Sequence, residues 1–132
     1  MRSLQSILLV DDDETTNFLN KFFVKQLDPE LEVQIASNGQ EALDYLKGLA
    51  ADHPGGMIVL DTNMPVVNGW EFLDSFQSSF SEKNYSKWTI IMLTALNSEE
   101  STSQALAHPL VTDTAQKPLS DLKFRALINK HF

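Results

Sequence analysis

Residues able to do polar chemistry recur in this chain at one kind of place, directly after a short apolar run. In "ILLVDDDETT" the run ends in Asp11, Asp12 and Asp13, and in "MIVLDTNMP" it ends in Asp61. "IIMLT" closes on Thr94, and the run at 110–115 is followed by Lys117 and Pro118. A single Asp in such a position is usually a turn former or a helix cap. Four runs that each end in a carboxylate, hydroxyl or ammonium define a chemistry. Two carboxylates of the first cluster, brought close to Asp61, repel one another or raise a pKa. A hard divalent cation relieves that conflict. Mg²⁺ suits one or two carboxylates, its remaining positions going to water and phosphate oxygens. The chain has no Cys, and no His lies near these residues in sequence, so zinc is not expected. Lys117 adds a positive charge and Thr94 a hydroxyl donor, and with the metal these neutralise a transferring phosphoryl group. A carboxylate is a competent nucleophile for that group, giving an aspartyl phosphate. Asp61 is the one placed centrally enough.

Such residues meet only if the elements carrying them converge. The apolar runs at 6–10, 31–36, 57–60, 89–93 and 110–115 read as strands, and helical spacing fills the gaps. Phe18, Leu19, Phe22, Phe23 and Leu27 predict one broad core face on a first helix. Ala42, Leu43, Leu46 and Leu49 predict a second, capped by Ser37 or Asn38. Phe72, Leu73, Phe76 and Phe80 predict a third. The segment 98–107 is weaker, with Asn97 and Glu100 spaced as a capping box and Ala105, Leu106 and Ala107 as its apolar content. Leu122, Leu127 and Ile128 predict a last helix opened by Ser120 and Asp121. Five strands alternating with five helices predict an α/β fold, because each crossover helix forces neighbouring strands to run parallel. In an open parallel sheet the carboxyl ends share one edge, and ligands bind there. The polar stretch 78–88 predicts an exposed loop. Asp13 and Glu14 favour the first turn of the helix they precede. Pro65 and Gly69 read as loop geometry, with Gly69 free to take a left-handed turn. Trp70 is expected near the site and Trp88 in packing, and no function is assigned to His53, His108 or His131.

The chain resembles the receiver domain of two-component response regulators over essentially its whole length. The motifs are "ILLVDDDE" at 7–14, "IVLDTNMPVVNGWEFL" at 58–73, "IIMLTA" at 90–95 and "QKPL" at 116–119. The resemblance implies a flavodoxin-like, doubly wound five-stranded sheet with five helices. It implies Mg²⁺ held by Asp11, Asp12, Asp61 and the backbone carbonyl of Asn63, with Asp61 as phosphoacceptor. Thr94, followed by the small Ala95, and Lys117 would bind the phosphoryl oxygens, and the Lys117–Pro118 bond would be cis. A sensor histidine kinase or histidine phosphotransfer protein would be the donor. Output would go to an unknown downstream protein through the face of the fourth crossover helix, fifth strand and last helix. One departure concerns the readout: Thr114 stands where the family commonly carries an aromatic side chain that rotates on activation. The switch is therefore expected to rely on Thr94 and the loop after the fourth strand.

Composition narrows the remaining classes. The chain has 132 residues, 42% hydrophobic and 21% charged, which predicts a single globular domain over 1–132 with no output domain. A net charge of −8 opposes binding to nucleic acid or anionic lipid. The apolar core of the N-terminus is too short for a signal peptide or a membrane span, so a cytoplasmic protein without membrane insertion is expected. It is expected to catalyse only its own acylphosphate chemistry and not to be an enzyme. The rival reading is a haloacid-dehalogenase-like phosphohydrolase, because "DDDETT" places Asp11, Asp13 and Thr15 in a D-x-D-x-T pattern. That reading needs a further acidic pair after the lysine and leaves "LDTNMP" unexplained.

Overall fold

The structure, a computed structural model, describes residues 4–62, 64–94 and 99–132. Five strands form one parallel sheet: β1 (Ser6–Val10), β2 (Glu32–Ala36), β3 (Gly56–Leu60), β4 (Trp88–Thr94) and β5 (Val111–Gln116), in the order β2-β1-β3-β4-β5. Among the described residues six helices lie between or after them: α1 (Glu14–Leu27), α2 (Gly39–Lys47), α3 (Gly69–Ser79), α4 (Glu82–Tyr85), α5 (Glu99–Ala107) and α6 (Asp121–His131). This is the expected flavodoxin-like architecture. The addition is α4, a single turn inside the stretch read as loop. Ser81 caps it, and Tyr85 and Phe80 pack their rings against Phe76. Among the described residues no helix is long and apolar enough to cross a membrane.

The two faces of the sheet bury alternate residues of the same strands, so each central strand reads as a continuous apolar run. Leu8, Val10, Ile58, Leu60, Ile90 and Met92 face one way, against Ala42, Leu43 and Leu46 of α2 and Phe72, Leu73 and Phe76 of α3. Ile7, Leu9, Met57, Val59, Ile91 and Leu93 face the other way, against Val24 of α1 and Phe124 and Leu127 of α6. Caps set where the helices start. Asn38, Asn68 and Ser120 each accept a backbone N–H of the first turn, and Glu71 completes a capping box with Asn68. The box spaced on Asn97 lies outside the described residues.

Helix α1 corrects the sequence reading. Its buried residues are Asn17, Asn20 and Val24, while Phe18 is 69% and Phe22 51% exposed and Leu19 is exposed as well. Phe23 and Leu27 are only partly buried. The cause is rotational phase. Asp13 caps the helix three residues after the β1 end, and the Asn17 side chain is bonded to the Asp11 carbonyl, so the stripe 17-20-24 is turned to the sheet. The bulkier stripe is left to solvent. In α6, likewise, Phe124 and Leu127 are buried, whereas Leu122 is exposed.

The β3–α3 loop holds a second correction. Gly69 does not supply a left-handed turn; that conformation falls on Val66, with φ 67°. Gly69 is needed for close approach, since a Cβ there would collide with the Asp61 carbonyl and the Thr62 backbone. Glycine thus lets α3 begin directly on the strand end.

Candidate functional site

The sheet order reverses direction between β1 and β3, and the chain positions leaving those two strands lie side by side at the carboxyl edge. Val10 pairs with Leu60, so Asp11 and Asp61 are the next residues out on adjacent strands, joined by the bond from Asp61 N–H to the Val10 carbonyl at 2.9 Å. Oxygens of Asp11, Asp12 and Asp61 all lie within 4.8 Å of one another. Asp61 is 3% exposed and Asp11 is also buried, while Asp12 reaches solvent. Burial pushes the Asp11 carboxyl up to about 6; the Asp13 N–H opposes this, and the charges of Asp61 and Asp12 add to it. Crowding of the carboxylates is expected to raise a pKa; burial contributes more than that crowding does.

The opposite charge comes from β5. Lys117 Nζ lies 2.5 Å from Asp61 Oδ1, and the Thr62 N–H donates to the same oxygen at 2.8 Å. The Lys117 N–H donates to the Thr94 carbonyl at 3.1 Å, which couples the lysine to the end of β4. The Lys117–Pro118 peptide is cis, as the resemblance implies. Thr94 is buried at the same edge, its hydroxyl donating to the Ala115 carbonyl at a long 3.4 Å. Asp11, Asp12, Asp61 and Lys117 are therefore brought together, and Thr94 stands at the neighbouring strand end. Asn63 and Ala95 lie outside the described residues.

Asp13 does not join the acidic cluster. Its carboxylate accepts from Thr15 N–H at 2.9 Å and Thr16 N–H at 3.4 Å as the N-cap of α1, and these bonds hold its pKa below the ordinary carboxylate value. A D-x-D-x-T site built on Asp13 and Thr15 loses its second carboxylate to this cap. Thr114 sits half-buried on β5 beside Met92. Two of the histidines have acidic partners, His108 with Asp74 and His131 with Asp113, and His53 stacks on the Trp88 ring.

Three carboxylate groups this close, one with its proton affinity raised by burial and its neighbours, are a fitting donor set for a hard divalent cation. Beside it, the Asp61 carboxylate is bound by the Lys117 ammonium and set at the end of β3. That arrangement can receive an electrophilic phosphoryl group and neutralise it.

Comparisons with known proteins point the same way. A family model described as the response regulator receiver domain matches residues 7–129. The crystal structure of a two-component response regulator from Cytophaga hutchinsonii is 32% identical, with 98% of this chain and 97% of that one covered and a TM-score of 0.84. The chemotaxis response regulator CheY4 of Vibrio cholerae is 26% identical over 97% of this chain and 98% of that one, with a TM-score of 0.77. A curated relative, the probable C4-dicarboxylate response regulator DctR of Priestia megaterium, is 24% identical over 126 residues, covering 96% of this chain. The chain spans about half, 51%, of that relative's length.

Proposed function

Because the chain belongs to the response regulator receiver domain family, we propose that Asp61 is its phosphoacceptor and that the domain is a Mg²⁺-dependent signalling switch. The observation that carries this reading is the convergence of Asp11, Asp12 and Lys117 on Asp61. A phosphohistidine on a sensor kinase or phosphotransfer protein in the cytoplasm is the donor. An oxygen of Asp61 attacks phosphorus, the P–N bond breaks, and the imidazole leaves with the electron pair and takes a proton from solvent. Asp11, Asp12, Asp61 and the carbonyl of Asn63 would hold Mg²⁺, which would neutralise phosphoryl oxygens. Lys117 moves its contact from Asp61 to a phosphoryl oxygen, and Thr94 turns its hydroxyl from Ala115 toward another.

Readout starts from that turn of Thr94. With Thr114 in place of an aromatic side chain, the change spreads through the loop after β4 and reaches a downstream protein across α5, β5 and α6. The unit acts by binding and not by turnover. Borohydride reduction of the phosphorylated protein, followed by peptide mass spectrometry, tests the reading. Reduction at Asp61 supports it. Reduction at Asp11 or Asp12 with Asp61 intact overturns it.

A further inference from the structure

Asn17 is 4% exposed, on the side of α1 turned to the sheet, where an apolar residue would continue the stripe formed by Val24. Its Nδ2 donates to the Asp11 carbonyl at 2.8 Å in a buried bond. Its Oδ1 is buried with no hydrogen-bond partner among the described residues. A buried acceptor left unpaired costs about 1–3 kcal/mol. A residue present only for packing has no reason to carry that cost.

The bond it makes is well placed to matter. The Asp11 carbonyl belongs to the peptide that joins Asp11 to Asp12, and that unit is planar. Holding its oxygen fixes the plane, and with it the direction in which both flanking side chains leave the turn. The rest of the turn is held from other sides: Asp11 N–H donates to the Ala36 carbonyl at 3.1 Å, and Asp13 N–H donates to Asp11 Oδ1 at 3.0 Å. Neither bond touches the Asp11–Asp12 peptide plane. The Asn17 side chain bonds to that plane directly.

We propose that Asn17 is a positioning residue for the cation site, its amide orienting the Asp11–Asp12 peptide so that both carboxylates converge beside Asp61. This inference rests on the reading of the acidic cluster as a Mg²⁺ site, so wild type and variant are measured together. Calorimetric titration with MgCl₂ alone compares wild type with Asn17→Leu, an apolar and somewhat larger side chain that removes the donor and the orphaned acceptor. Thermal unfolding in EDTA accompanies it. Loss of an outer-shell partner typically weakens metal binding about 10–100-fold. The expected result is at least a tenfold weaker Kd in the variant. A variant Kd within twofold of wild type overturns the inference, whatever its Tm.

If Asn17→Leu does not fold, the wild-type protein decides the matter by NMR. The Asn17 side-chain amide and the Asp12 N–H should shift with Mg²⁺ at one common midpoint, and an unmoved Asn17 amide overturns the inference. A wild type that binds no Mg²⁺ overturns the underlying reading and this inference with it.

Discussion

At the scale of single residues, Asp11 shows how the site was shaped by its surroundings. Its folded-state pKa of about 6 lies above the ordinary aspartate value of about 4, so the folded protein holds this proton over a range where the unfolded chain has lost it. Asp11 therefore makes stability fall as pH rises from about 4 to about 6, and the penalty is fully present at pH 7. In the absence of Mg²⁺, Asp11→Asn should raise the Tm at pH 7 and narrow the gap to wild type at pH 5. With Mg²⁺ present the order reverses, because the variant lacks the Asp11 carboxylate that wild type adds to those of Asp12 and Asp61, and the affinity of wild type weakens below pH 6. A thermal scan of both proteins at the two pH values, with and without Mg²⁺, checks all four arms. Val66 carries a different cost. It is β-branched and 77% exposed, with φ 67°, a conformation that L-residues pay about 1–2 kcal/mol to adopt. Val66→Asn should raise unfolding free energy by about 1 kcal/mol in a urea titration. The carboxylates and the lysine were legible because their chemistry is written in residue type and place. Val66 and Asn17 were not, because backbone dihedrals and helix phase decide their roles.

At the scale of elements, the strands were read closely, since full burial on both faces leaves continuous apolar runs such as Ile7–Val10 and Met57–Leu60. The starts of α2 and α6 were also readable from their caps, Asn38 and Ser120, whereas the Asn68–Glu71 box that opens α3 was not named from the sequence. Which side of α1 is buried was not. Periodicity alone favoured the stripe with the most apolar mass, but the short β1–α1 turn and the Asn17 bond fix the helix in another phase. The outcome is an exposed apolar strip of Phe18, Leu19 and Phe22 on the helix that starts beside Asp12. Under the proposed function, a protein donor reaching Asp61 over the start of α1 would meet that strip. Replacing Phe18 and Phe22 together by Ala should leave stability nearly unchanged, as is usual for surface positions. The same change should slow phosphotransfer from a phosphohistidine protein by about tenfold or more while leaving labelling by a small acyl phosphate untouched. Equal slowing with both donors would assign the strip to the site itself and not to donor recognition.

At the scale of the whole molecule, the sheet order is what converts separate strand ends into one site. β1 and β3 are neighbours although β2 lies between them in sequence, and this places Asp11 beside Asp61. β5 at the far edge then returns Lys117 to the same carboxylate through the end of β4. That convergence could be expected from alternating elements and strand-end chemistry. The added turn α4 could not, because one helical turn leaves no periodicity to read. The central claim is that this edge accepts one phosphoryl group on Asp61 with the help of a divalent cation. Intact-mass spectrometry after incubation with acetyl phosphate, with and without Mg²⁺, tests it most directly, with Asp61→Asn in parallel. The account predicts a single Mg²⁺-dependent phosphoryl adduct on the wild type and none on the variant. An adduct that persists on Asp61→Asn, or that forms equally well in EDTA, would contradict it.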